Sequence, residues 1–178
     1  MIPEDERIRA SIHEAGHAVI LSQYPTLGRV NSIEIADNGS GKVSWSRNYC
    51  SYLSFQWHKN RWYELAMDFG GFAAEILIMK TAKGLSSRHD LEEAKRKCLV
   101  LAGTKIPWRD INLNANSFNP GIMFKSPVTP EQERVLKIGY FKAKELLFEN
   151  RQTLYKLSVA LLRQNKLGAI ESRILLQG

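Results

Sequence analysis

Near the N-terminus of this chain, apolar residues recur at helical spacing: Ile8, Ile12, Ala15, Val19 and Ile20. That period predicts an amphipathic helix over residues 3–23. Pro3 suits its first position, and Glu4, Asp5 and Glu6 complement the positive end of its dipole. The period then switches to two. Val30, Ser32 and Glu34 alternate with Asn31, Ile33 and Ile35, and the turn-forming run Asp37-Asn38-Gly39-Ser40-Gly41 follows. Residues 29–46 therefore read as a β-hairpin, with 42–45 in the return strand. Helical spacing returns over 60–80, where Leu65, Ala66, Phe69, Ala73, Ile76 and Leu77 face inward. Gly70-Gly71 in its middle costs about 1 kcal/mol per glycine relative to alanine, so either another backbone packs very close or the helix kinks.

A further helix is predicted over 88–103. Ser86 or Ser87 offers a cap, and Glu92 and Glu93 face Arg96 and Lys97 one turn on. Residues 104–128, with Pro107, Pro120, Gly121 and Pro127, read as a long loop. Thr129 then caps a helix with Pro130 first and Glu133 closing a capping box. Val135, Ile138, Phe141, Leu146, Leu154, Leu157 and Leu161 carry the stripe to about residue 164. A break near 165–168 precedes a short last helix, so helices fill 130–176. The pattern predicts a mainly α fold with a small β-sheet or hairpin, in one domain over 1–178.

Composition narrows the class. The chain of 178 residues is 44% hydrophobic and 24% charged, ordinary values for a folded domain. No apolar run reaches the roughly 20 residues needed to span a bilayer, and the acidic start lacks the marks of a signal peptide. A cytoplasmic protein is expected. Cys50 and Cys98 are too few for a disulfide framework or a zinc cluster, and Cys98 lies on an apolar helical face as a buried thiol. The net charge of +7 is spread along the chain, which reads as a solvated basic surface with no nucleic-acid partner. Residues 45–63 hold Trp45, Tyr49, Tyr52, Phe55, Trp57, Trp62 and Tyr63, an aromatic connector whose members mostly pack in a core.

The candidate chemistry lies in His13-Glu14-Ala15-Gly16-His17. Two histidines four apart on a helix share a face and can grip one metal ion. Glu14, one residue along, is placed to act as general base toward a water at that ion. Gly16 inside a helix implies that something approaches closely there. A zinc peptidase needs a third protein ligand, for which His58, Glu64, Asp68, Glu75, His89 and Asp90 are all candidates. Spacing does not choose among them.

Four segments in order, "IHEAGHAVI", "GGFAAEIL", "SRHDLEEAKRK" and "AKELLFENRQTLYKLSVALL", give the chain a resemblance to the peptidase domain of the FtsH-type ATP-dependent zinc metalloproteases. It covers roughly residues 5–176 and is weakest over 38–62 and 104–128. The resemblance implies a zincin-like metal helix packed on a helical bundle, with one zinc ion per chain. It implies His13 and His17 as ligands, Glu14 as the catalytic glutamate, Asp90 as the carboxylate ligand at a helix start, and a supporting role for Glu75. The family's run before the aspartate is altered here to Leu85-Ser86-Ser87-Arg88-His89, so His89 competes with Asp90 as a ligand, although a loop histidine is the preferred reading.

No Gly-rich phosphate loop is present in these residues. The expected activity is therefore a zinc-dependent endopeptidase acting on unfolded or flexible polypeptides without an ATPase of its own, or with a separate ATPase or adaptor as partner. The substrate is expected to lie extended beside a strand of the hairpin. The alternatives are a non-catalytic or partner-dependent regulatory module that keeps the fold, and a dedicated peptidase that cuts one repressor.

Overall fold

The computed structural model describes residues 4–36, 38–48, 55–82, 86–108 and 128–177, with Phe55, Ser86 and Ser87 described in their backbone only. Most of the loop expected over 104–128, and the 49–54 part of the aromatic connector, lie outside the described residues. The elements in chain order are α1 (Glu4–Ser22), β1 (Gly28–Ile35), β2 (Gly41–Arg47), α2 (Phe55–Asp68), α3 (Gly70–Met79) and α4 (Ser86–Leu101). They are followed by α5 (Pro130–Glu149), α6 (Arg151–Gln164), β3 (Lys166–Gly168) and α7 (Ala169–Gln177). The fold is mainly helical with a small antiparallel sheet of strand order β2-β1-β3.

α1 is the central helix. Ala15, Ala18, Val19, Ile20 and Leu21 are completely buried, and the helix packs against α3, α6 and β1. Its contact with α3 is a backbone contact. A Cβ on Gly16 would lie 2.4 Å from the Gly70 carbonyl oxygen, and one on Gly70 would lie 3.0 Å from the His17 backbone. Glycine at both positions is what lets the two helices touch, and the gain in packing offsets its helical cost.

The helix expected over 60–80 is two helices. Both readings of Gly70-Gly71 hold: a neighbouring backbone does pack close, and the chain breaks at Phe69. The apolar period runs through the break, with Leu65, Ala66, Phe69, Ala73 and Ala74 all buried, so hydrophobic spacing does not reveal it. The stripe of 130–164 is likewise divided at Asn150. The 165–168 segment holds β3, which pairs Ser32 with Gly168 and Glu34 with Lys166. The capping box of α5 is closed by Gln132 rather than Glu133: the Gln132 N–H donates to Thr129 Oγ1 at 3.2 Å, and the Thr129 N–H donates to Gln132 Oε1 at 2.8 Å.

β1 carries a bulge between Val30 and Ser32. It shifts the alternation, so that Ile33 and Ile35 enter the core while β2 remains half-exposed. A second part of the core is aromatic: Tyr24 stacks on Tyr63 at 3.9 Å, and Trp62 meets Trp108 edge-on at 5.8 Å. Among the described residues no helix is long and apolar enough to cross a membrane.

Candidate metal centre

Three ligand atoms from two helices converge. The Nε2 atoms of His13 and His17 lie 3.1 Å apart, and Asp90 Oδ2 lies 2.9 Å from the first and 3.3 Å from the second. Among the described residues, His13, His17 and Asp90 form the group of this kind able to hold a metal ion. The spacing fits one. Donors about 2.0–2.2 Å from a tetrahedral zinc stand roughly 3.4 Å from one another, and these three need to spread by only a few tenths of an ångström. Two imidazoles and a carboxylate are also a donor set that zinc accepts in open sites.

Each imidazole is held by its other nitrogen. His13 Nδ1 lies 2.8 Å from Glu75 Oε1, a carboxylate with no exposed surface. His17 Nδ1 lies 2.7 Å from the Met67 carbonyl oxygen. Both partners accept a hydrogen bond, which holds a proton on Nδ1 and turns Nε2 of each ring inward. The Met67 carbonyl is free for this because of the break at Phe69. Met67 lies in the last turn of α2, where carbonyls lack partners within their own helix. Glu75 is positioned by the α1–α3 contact, and Gly71, one turn before it, leaves room for the His13 ring.

Electrostatics bind the three side chains together. Burial works to lower the His13 pKa, but hydrogen bonds to Asp90 and Glu75 outweigh it and raise it to about 9. His17 is also raised, with Asp90 prevailing over burial. Asp90 is held well below the usual carboxylate range, since the two histidines outweigh its burial. The dipole of α4 contributes little, because the helix begins at Ser86 and Asp90 is its fifth residue rather than its first.

Glu14 lies in the same cleft, buried at 7% exposure. Burial raises its pKa and the two histidines oppose that rise. A carboxyl shifted toward neutrality is suited to accept and return a proton. Gly41, the first residue of β2, lies directly against it: a Cβ there would be 2.5 Å from Glu14 Oε1. The cleft, about 450 Å³, is walled by β2 through Lys42, Val43 and Trp45 on one side and by α4 on the other.

The remaining third-ligand candidates do not join the three converging atoms, although Asp68 and His89 line the cleft. His58 is exposed on α2. Glu64 is buried and paired with Arg61 at 2.8 Å and Arg47 at 3.2 Å. Asp68 borders the cleft, but it accepts from the Lys97 ammonium at 2.6 and 2.7 Å, and burial pushes its carboxyl up to about 7 against the pull of that cation. Lys97 thus turns inward, while Arg96 makes the surface pair with Glu93. His89 points outward at 80% side-chain exposure, 4.0 Å from Glu93. Three features of the site carried no signal in the hydrophobic pattern: the Met67 carbonyl, the Gly41 contact, and Arg9, which donates to Glu75 Oε2 at 2.7 Å.

No protein-family model matches the chain. Among curated proteins, the ATP-dependent zinc metalloprotease FtsH of Cupriavidus metallidurans is 25% identical over 192 aligned residues, which cover 98% of this chain and 29% of the relative. The chain therefore spans less than a third of the length of that relative. At this identity, the chain is similar to a region of a zinc metalloprotease.

Proposed function

We propose that this chain is a zinc-dependent endopeptidase that hydrolyses peptide bonds of unfolded or flexible polypeptides and needs no ATP to do so. The observation that carries the proposal is the convergence of His13 Nε2, His17 Nε2 and Asp90 Oδ2 beside the buried Glu14. The similarity to FtsH, a zinc metalloprotease by name, points the same way.

His13, His17 and Asp90 would hold one zinc ion. When bound, it supplies a Lewis acid for the scissile carbonyl and lowers the pKa of a water molecule. Glu14 takes the proton from the attacking water and returns it to the departing amine. Glu75 and the Met67 carbonyl keep the imidazoles oriented throughout. The substrate lies extended along β2, whose outer edge pairs with no other strand among the described residues. Backbone hydrogen bonds to that edge read few side chains, so broad specificity follows. A folded substrate hides its backbone, which restricts the chain alone to loose polypeptides.

The test is digestion of casein by the zinc-loaded chain without ATP, beside Glu14→Gln with its zinc content measured. Cleavage by the unaltered chain alone, at equal zinc, is the expected result. Zinc in both with cleavage by neither would overturn self-sufficiency and favour a module that depends on an ATPase or adaptor partner. Cleavage by Glu14→Gln near the unaltered rate would remove Glu14 from the role of base.

A further inference from the structure

We infer that Arg9 is a positioning residue of the metal centre, acting on His13 through Glu75; this rests on the metal-site reading above. Arg9 lies one turn before His13 and two turns before His17, so the three residues lie along one side of α1. Its side chain is 9% exposed. One guanidinium nitrogen donates to Glu75 Oε2 at 2.7 Å and to the Thr81 carbonyl at 3.2 Å, just past the end of α3. The other Glu75 oxygen meets His13 Nδ1 at 2.8 Å. The result is a chain of contacts, Thr81–Arg9–Glu75–His13, running from the end of α3 to a metal ligand.

The division of the Glu75 oxygens gives Arg9 its role. A carboxylate engaged at both oxygens has its plane fixed, and the ring bonded to one of them inherits that orientation. Burying the ion pair is a poor route to stability. Both ions lose their hydration, and apolar residues of similar volume commonly serve as well or better. Arg9 even leaves its Nε buried without a hydrogen-bond partner. A purely structural role has a cheaper solution, whereas orienting the Glu75 carboxylate against His13 calls for a donor at its second oxygen, which Arg9 supplies.

The experiment is a double-mutant cycle on zinc affinity, read by competition with a chromophoric chelator at a temperature where every metal-free variant is folded. Arg9→Met is expected to weaken zinc about tenfold, the low end for an outer partner of a ligating histidine. Arg9→Lys, which keeps the charge, recovers most of that loss. On a Glu75→Gln background, Arg9→Met adds little, because the path through Glu75 is already cut. The visible absorption of the cobalt-substituted protein shifts in Arg9→Met. If Arg9→Met does not fold, the same cycle is run with Arg9→Lys, whose smaller loss must also vanish on the Glu75→Gln background. Unchanged zinc affinity and an unchanged cobalt spectrum, or losses that multiply in full in the double variant, overturn the inference and leave Arg9 a stabilising ion pair. Failure of the unaltered chain to bind zinc or cobalt instead overturns the metal-site reading.

Discussion

Gly71 lies flat against the imidazole of His13: a Cβ at residue 71 would stand 2.4 Å from both Cε1 and Nε2 of the ring. The ring has little room to yield, since Glu75 and Asp90 hold its two nitrogens. Gly71→Ala is therefore expected to cost about 1–3 kcal/mol in stability, as overpacking does, and to displace a ligand. Denaturant melts of the metal-free protein and zinc titration test this. A variant that keeps full zinc affinity would mean that the ring moves without disturbing the site.

Gly41 makes the corresponding contact with Glu14, but the outcome differs because the neighbour is flexible. A Cβ there would meet Glu14 Cγ at 2.3 Å. The Glu14 side chain is able to swing aside at small cost in stability, yet it then leaves the position proposed for the base. Gly41→Ala should hold zinc within about twofold of the unaltered chain and lose most cleavage, about 10²-fold or more, the range of a positioned general base. Casein digestion with parallel zinc measurement checks it. Activity near the unaltered level would show that the base acts from a displaced position.

How much of this was legible beforehand differs from residue to residue. The i,i+4 spacing of His13 and His17 is local, so helical geometry alone places them on one face. The proposed third ligand is not local. Asp90 meets them through the packing of α4 across the fold, and no spacing rule separates it from Asp68 or Glu64, which prove to be occupied by cations. β3 is too short to have a period and exists because β1 offers it a partner. The break at Phe69 is masked by continuous burial, although it frees the Met67 carbonyl that holds His17. Arg9, one turn on from the acidic start of α1, looks like a solvated charge until Glu75 is brought to it by the α1–α3 contact.

Asp90 and His89 are neighbours in sequence with opposite surroundings. Asp90 touches both histidines, while His89 reaches out to solvent. Asp90→Ala should weaken zinc more than the ~10–100-fold typical of an outer partner, and His89→Ala should leave it unchanged. Isothermal titration with zinc separates them. Loss of metal in His89→Ala with retention in Asp90→Ala would transfer the ligand role to His89.

Metal and protons compete for the same nitrogens, and the direction of that competition is fixed by the shifts. With His13 raised to about 9 and His17 raised as well, the metal-free protein at neutral pH carries protons that zinc must displace. Zinc affinity should therefore fall as pH drops from about 9 to 6, by up to tenfold per unit for each proton released. Stability of the metal-free fold runs the other way. A histidine whose folded pKa is above its unfolded value stabilises the fold fully below about 6.5, and that contribution is lost as pH rises through about 9. The lowered pKa of Asp90 stabilises the fold above the ordinary carboxylate range and is constant across this window. The gap in Tm between zinc-loaded and EDTA-treated protein should accordingly widen steadily from pH 6 to 9. Calorimetry across that range checks it, and a gap that stays constant or narrows would show that zinc does not bind through these two imidazoles.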